Sequence, residues 1–272
     1  MKHTTRRGGW VLPVLFLFLG TPAMAQSPAH PDPPSHVLVE GEELTYNVRY
    51  AFLDLGQIRV KTIARQRTPG VTSFATLAYI DSYKNVPLVD LHAIFESRID
   101  STVYSRAFTG KVKQDNVWDF SRYHFDYDRH RVVMEIGQRD TVVAKRETLS
   151  VDGTWQDGLS LFFYARHQLF AGRDMNVPAL VKESKVNTFI RFDKRKDEVE
   201  IDAVDYPIDV VGFEVNAEFV GIFGLTGGFS GWFSNDDARI PIVAKMKVIL
   251  GSVTIELMSW KRPGWAPPRA NN

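Results

Sequence analysis

The sequence contains no cysteine among its 272 residues. This absence excludes disulfide bonds, thiolate metal ligands, a cysteine nucleophile and a lipid attached to an N-terminal cysteine. A chain without disulfides depends on its core, and 44% apolar residues are enough for one large core at this length. The sequence therefore predicts a protein that is stabilised by packing alone.

Common catalytic motifs are also absent from the sequence. It contains no G-x-S-x-G turn, no H-E-x-x-H pair, no phosphate-binding glycine loop and no dinucleotide fingerprint. Its histidines are scattered and lack the spacing of metal ligands. We therefore predict no cofactor and no metal site.

The first 25 residues have the pattern of a secretory signal peptide. Three basic residues come first, residues 10–20 form an apolar run, and Ala23-Met24-Ala25 has the small side chains of a cleavage site. Because the apolar run is short, it is not expected to remain as a transmembrane span. We predict export to the periplasm, cleavage after Ala25 and no lipidation.

Proline-rich segments flank the predicted domain. Residues 26–36 predict an extended tether, and residues 263–272 predict a disordered tail. The segment between them, 37–262, is predicted to form a single β domain. Removing the three basic residues of segment 1–25 from the total of 33 leaves 30, against 32 acidic residues. This balance gives no electrostatic reason to bind nucleic acid or an anionic membrane.

Alternation of apolar and polar residues dominates the predicted domain. Residues 44–50 and 213–219 alternate strictly, as strands do when one face is wet. Asp54-Leu55-Gly56 supplies turn chemistry and predicts a hairpin over Glu43–Ala64. The predicted fold is therefore all-β, with a strongly curved antiparallel sheet that forms an open sheet, a barrel or a sandwich.

The C-terminal hairpin is predicted down to its register. A two-residue Gly251-Ser252 turn would place Leu250 opposite Val253. Both apolar rows would then lie on the same face of the sheet, whereas a slip by one residue would expose one of them.

A single segment has a helical period. Asp157 is placed to cap a helix that runs to Ala171, and Gly172 follows its end. The apolar face of this helix carries Phe162 and Phe163, which we expect to pack on the sheet as a plug or lid.

Two acidic clusters could carry chemistry. Asn235-Asp236-Asp237 could supply an acid/base pair if the fold buried it. Asp126, Asp128 and His130 could be metal ligands, but the glycine turn and glutamate of a calcium loop do not follow them. Asparagine and aspartate are also ordinary turn residues, and neighbours on a strand point to opposite faces. The turn interpretation is favoured for both clusters.

Several motifs together resemble a known bacterial family. The segments are Gly41-Glu42-Glu43-Leu44-Thr45-Tyr46, Leu55-Gly56, Phe95-Glu96-Ser97, residues 157–166, Gly251-Ser252 and, most specific of all, Gly231-Trp232-Phe233-Ser234-Asn235-Asp236-Asp237-Ala238-Arg239-Ile240-Pro241. From about Glu40 to Trp260 the chain resembles the domain-of-unknown-function family 3108. The resemblance implies an exported, largely β protein with no established activity, and it transfers no catalytic residue.

The leading functional hypothesis is non-enzymatic binding of an apolar or amphipathic envelope component, a lipid or a glycan, in a concave sheet beneath the helix. The candidate ligand-binding residues are Tyr46, Tyr50, Phe163, Arg166, Trp232, Asp236, Asp237 and Arg239. One alternative is a scaffolding partner of an envelope protein. The other is an envelope-polymer hydrolase, which would need Asp236 or Asp237 to converge with a second group in a cleft.

Overall fold

The computed structural model describes residues 36–271, except for 69–70, 85, 88, 115, 193, 218–227 and 248–251. The predicted signal peptide and all of the predicted tether except His36 lie outside these residues. Among the described residues, no helix is long and apolar enough to cross a membrane.

Sixteen strands, one α-helix and one short 3-10 helix make up the described fold. They are β1 Glu43–Tyr50, β2 Leu53–Thr68, β3 Val71–Ser82, β4 His92–Asp100, β5 Ser105–Gln114, β6 Val117–Asp126, the 3-10 helix Tyr127–Arg129, β7 Arg131–Gln138, β8 Val142–Ser150, β9 Gln156–Asp157, α1 Ser160–Gln168, β10 Asp174–Val181, β11 Ser184–Arg191, β12 Lys196–Val199, β13 Ile208–Ala217, β14 Phe229–Ser234, β15 Pro241–Lys247 and β16 Ser252–Lys261.

The strands form one large curved sheet that does not close into a barrel. Its order is β8-β7-β6-β5-β4-β3-β2-β1-β16-β15-β14-β13-β11-β10-β9, with β12 paired to β13. Neighbours are antiparallel except for the short β9, which runs parallel to β10. The all-β prediction with one packed helix is confirmed, and the open sheet is the alternative that holds.

Register shifts bend the sheet around its core. They interrupt the pairing of β1 with β2 after Val48 and the pairing of β14 with β15 after Trp232. Such bulges increase the local twist and bend the strand. Gly231 adds to the curvature, because a side chain there would collide with the ring of Phe213 on the next strand.

The first hairpin forms, but its turn is not where the sequence predicted. Tyr50 pairs with Leu53, so the turn is at Ala51-Phe52, where Ala51 has a φ of 52°. Asp54 lies within β2 instead. Its carboxylate accepts hydrogen bonds from the side chains of Asn47 (2.7 Å) and Arg49 (2.9 Å), and these contacts use the polar groups that were predicted to form the turn.

The predicted register of the C-terminal hairpin is wrong. Val253 lies opposite Met246, not Leu250, and Ser252 pairs with Lys247. The connecting residues 248–251 lie outside the described part of the chain. The shift is four residues, an even number, so the two apolar rows still share one face, as Ala244 opposite Ile255 shows.

Helix α1 is shorter than the predicted span of Asp157–Ala171. It begins at Ser160, and the Asp157 carboxylate accepts hydrogen bonds from the amides of Leu159 and Ser160, both at 2.8 Å. Asp157 therefore caps the helix from within β9. Gly172, with a φ of 63°, lies past its end as predicted.

The C-terminal segment pairs with the domain and does not form the predicted disordered tail. The Asp209 amide donates to the carbonyl of Pro268 (2.9 Å), and the Ala270 amide donates to the carbonyl of Pro207 (2.9 Å). The indole of Trp265 also donates to Asp236 at 2.7 Å. The prolines of this segment stop it from continuing a sheet ladder but leave its carbonyls free to accept hydrogen bonds.

Candidate functional site

A mostly apolar cavity of about 310 Å³ lies between the concave face of the sheet and helix α1. Strands β1, β2, β11, β13, β14, β15 and β16 supply one wall and the helix supplies the other. The lining side chains are Tyr46, Ile58, Val60, Leu161, Phe162, Ala165, Thr188, Ile190, Phe213, Val215, Phe229, Phe233, Pro241, Val243, Ala244, Met246 and Ile255.

The alternation of the strands creates this cavity. Ala244, Met246 and Ile255 point inward while Lys245, Thr254 and Glu256 point to the other face. Several inward side chains are half-buried, which shows that the cavity meets solvent. The site is thus a partly open apolar pocket in a folded core.

Two hydroxyl groups stand out in the apolar lining. Tyr46 and Thr188 are each 3% exposed, and neither hydroxyl has a hydrogen-bond partner among the described residues. Burial strongly raises the pKa of Tyr46, so its hydroxyl keeps its proton and can donate. A buried polar group without a partner is unfavourable, and both hydroxyl oxygens are closed off from the open space of the cavity, so a polar ligand atom could reach them only after a neighbouring side chain moves.

Arg166 lies behind the cavity and holds the helix in place. Its fully buried guanidinium donates to both carboxylate oxygens of Glu42, at 2.6 and 3.1 Å. It also donates to the carbonyls of Ala238 (3.0 Å) and Arg239 (3.1 Å). Arg262 binds the same carboxylate from the C-terminal side. Arg166 was predicted as a ligand contact, but its donors are used within the fold.

The predicted acidic pair does not converge. Asp236 organises a turn, since one of its oxygens accepts from the Ser234 hydroxyl and from the amides of Ala238 and Arg239. Asp237 is exposed to solvent. The described residues therefore do not bring these two aspartates together in a cleft, as the hydrolase hypothesis requires.

Arg239 is placed by the same turn and faces the end of α1. It has a φ of 49°, and its guanidinium donates to the carbonyl of His167. The guanidinium also lies 4.9 Å from the ring centre of Phe170, and burial lowers its pKa. A cation here interacts favourably with the C-terminus of the helix, so Arg239 joins the turn to α1.

Substitution of the two aspartates separates a structural role from a surface role. We expect Asp236→Ala to lower the free energy of unfolding by about 1–3 kcal/mol, because buried donors lose their acceptor. The matched Asp237→Ala variant should change it by less than about 0.5 kcal/mol. Urea unfolding followed by tryptophan fluorescence measures both, and equal effects would contradict this assignment.

The remaining predicted residues lie in different places. Phe163 is fully buried in the core, and Phe162 faces the cavity. Tyr50 is half-buried at the end of β1. Trp232 lies on the opposite face of the sheet, in a polar groove of about 530 Å³, where its indole donates to Asp197 at 3.1 Å. Of the predicted ligand contacts, the cavity contains Tyr46.

Phe162, Thr188 and Met246 are among the cavity residues that were missed from the sequence. Phe162 was recognised as a helix residue but not as a ligand contact, although the ring of Tyr46 packs edge-on against it at 6.4 Å. Thr188 and Met246 carry a signal only in hindsight, because each occupies an inward position of an alternating strand. Position in the alternation therefore indicates the lining better than residue chemistry does.

A comparison with known protein families shows to which family this chain belongs. The family described as "Protein of unknown function (DUF3108)" matches residues 45–258. The chain belongs to this family. The resemblance noted in the sequence is therefore confirmed, and the DUF3108 match covers all strands from within β1 to within β16.

One of two matched solved structures shows a similar fold. A crystal structure of a beta-barrel-like protein of domain of unknown function DUF1849 from Brucella abortus has a TM-score of 0.51 and 12% identity, covering 83% of this chain and 98% of that one. A Bacteroides fragilis protein with a YmcC-like fold has a TM-score of 0.34 and 10% identity, covering 82% and 97%. No curated protein matches the chain. The DUF3108 chain thus has a beta-barrel-like fold.

Proposed function

We propose that this DUF3108 protein is exported and binds an apolar or amphipathic molecule in the cavity between the concave sheet and α1. The observation that carries the proposal is a partly open cavity whose lining is almost entirely apolar. The signal-peptide pattern of residues 1–25 supports export and cleavage after Ala25.

The size of the cavity limits the ligand. Ligand pockets typically span about 300–1,000 Å³, and this cavity of about 310 Å³ is at the lower end. It therefore suits one apolar chain or a compact ring system. A bulky glycan would find almost no polar side chains in this lining, so a lipid-like ligand is favoured over a glycan.

The lining determines the chemistry of the proposed ligand. An apolar body would replace water along the side chains of β14 to β16 and α1, and burial of that apolar surface is favourable. The hydroxyl oxygens of Tyr46 and Thr188 are closed off from the open space, so a polar ligand atom would bond to them only after a neighbouring side chain moves. The site therefore suits a molecule that is mostly apolar, with any polar group near the opening.

An uncharged apolar fluorophore, N-phenyl-1-naphthylamine, tests the proposal. We expect its fluorescence to rise and saturate with the exported protein. Ala244→Phe places a ring into the cavity and should weaken binding at least about tenfold, since most of the apolar contact is lost. The matched variant Ala144→Phe, on the exposed surface of β8, should bind as the original protein does.

The contradicting result is equally direct. If Ala244→Phe and Ala144→Phe bind the fluorophore with the same affinity, or if the unmodified protein does not bind it, the cavity is not a ligand site. If the fluorophore binds as expected, mass spectrometry of an organic extract of the purified protein is used to identify a natural ligand that the protein retains. A far-UV circular dichroism spectrum checks that both variants keep the β fold.

A further inference from the structure

One end of the sheet is apolar across six adjacent strands. The pairing registers join one inward residue near this end of each strand into a continuous row. The row consists of Leu53, Tyr50, Val253, Met246, Phe229 and Val215, and it contains no charged side chain. We call this row, together with the hairpin tip Ala51-Phe52, the Phe52 end.

Phe52 projects from this end into solvent. Its side chain is 96% exposed, the highest value among the exposed large apolar residues, and Leu53 beside it is 39% exposed. Exposing an aromatic ring at the tip of a turn is unfavourable in water. The exposed apolar residue Ile63, at 50%, lies instead within β2 between Lys61 and Arg65, and Val142, at 56%, lies at the start of β8 opposite Gln138.

The ligand cavity lies directly behind the Phe52 end. Val215, Phe229 and Met246 belong both to the row and to the cavity lining. Phe229 and Met246 are half-buried, and Val215 is buried. The apolar row therefore continues into the lining of the cavity.

A charged pair sets a boundary behind the tip. Arg49 and Asp54 are joined at 2.9 Å, and their side chains are 37% and 50% exposed. Charged groups of this kind stay at an aqueous boundary, whereas an aromatic ring is favourable in the interfacial region of a lipid bilayer. The arrangement suits shallow insertion of the tip and no deeper entry.

We infer that the Phe52 end docks on the surface of a lipid bilayer, with the ring of Phe52 in the interfacial region. A bilayer accepts a projecting ring without needing a shaped pocket, and the absence of charge in the row argues against an electrostatic partner. The inference rests on the proposed function and adds a route for its ligand. A lipid-like ligand would pass between the bilayer and the cavity without crossing water.

The lack of cysteine allows a site-specific test. Phe52→Cys and the control Val142→Cys each give the exported, processed protein one thiol for an environment-sensitive NBD label. With phosphatidylcholine vesicles, we expect the label at 52 to brighten and its emission to shift to the blue, and the label at 142 to stay unchanged. Added salt should not reverse the effect, because the contact is apolar. No change at 52, or an equal change at both positions, would overturn the inference.

Unlabelled variants supply a second measurement. Phe52→Ser should lower the vesicle-bound fraction of the protein about tenfold in flotation, since one ring is removed from the lipid contact. Val142→Ser should leave it unchanged. Neither variant should alter fluorophore binding in vesicle-free solution. Loss of vesicle binding with intact fluorophore binding supports docking, whereas vesicle binding that survives Phe52→Ser overturns it and leaves the proposed ligand site standing.

Discussion

Glu42→Gln is expected to lower the free energy of unfolding by roughly 3–5 kcal/mol, because it leaves buried guanidinium groups without a counter-charge. Glu42 is 2% exposed and Arg166 is fully buried, and the pair is bidentate. The glutamine has nearly the same shape as the glutamate, so the loss reports charge and not packing. Urea unfolding followed by tryptophan fluorescence provides the measurement.

A surface pair of similar length is the matched control. Lys145 and Glu147 lie 2.8 Å apart but are 57% and 40% exposed. Solvent screens such a pair, so Glu147→Gln should change the free energy of unfolding by less than about 0.5 kcal/mol. A double variant, Glu42→Gln with Arg166→Met, should recover part of the loss, because the fully buried charge is then removed as well. Equal effects of the two glutamine variants would contradict the structural role of Arg166.

Asp157→Ala should have an effect of similar size, a loss of about 3–5 kcal/mol. The Asp157 carboxylate is fully buried and accepts from the hydroxyls of Ser97 and Ser105 as well as from the amides of Leu159 and Ser160. Each buried donor that loses its acceptor carries a penalty of about 1–3 kcal/mol, partly relieved by water. Urea unfolding measures the loss, and a loss below about 1 kcal/mol would contradict the view that this carboxylate ties α1 to the sheet.

The same carboxylate makes stability depend on pH in a defined direction. Burial raises the pKa of Asp157, against the opposing effect of hydrogen bonds from the two serines and two amides. The folded protein therefore holds this proton to a higher pH than the unfolded chain does. The resulting stabilisation is fully present below about pH 4, the unfolded value, and is lost as the pH rises through the folded pKa.

Asp157→Asn isolates this term, because the asparagine does not titrate. The free energy of unfolding of the original protein minus that of the variant should decrease as the pH rises above about 4. All other titrating groups are common to both proteins and cancel in the difference. A difference that is flat or that increases between pH 4 and 7 would show that the pKa of Asp157 is not raised in the fold.

The alternation of residues made the strands of this fold predictable. Leu44, Tyr46 and Val48 are buried while their neighbours are not, and the apolar residues of the sequence alternate with the same period of two. The register was not predictable from the local signal. Val253 pairs with Tyr50 of β1 as well as with Met246 of β15, so the whole sheet, and not the Gly251-Ser252 dipeptide, sets the position of β16.

The location of the candidate site between the helix and the sheet was predictable, but most of its residues were not. A helix over a curved sheet predicts an apolar space, and Tyr46 was correctly placed in the sheet that lines it. Arg166 and Asp236 were predicted as ligand contacts because each carries a charge within a segment that is rich in aromatic residues. Their partners are remote: Glu42 lies 124 residues before Arg166 in the chain, and no local pattern joins them.

The unclosed sheet gives the cavity a mechanical property. A closed barrel has a fixed circumference, and its interior cannot widen unless ladder hydrogen bonds break. Here β8 ends the sheet on one side and β9 ends it on the other, and side chains cross the gap, as Lys185 does to the carbonyl of Ser150. The Ser105 amide likewise donates to the carbonyl of Trp155 (3.1 Å). Widening of the space beneath α1 would therefore break these few contacts across the gap and could leave every ladder hydrogen bond in place.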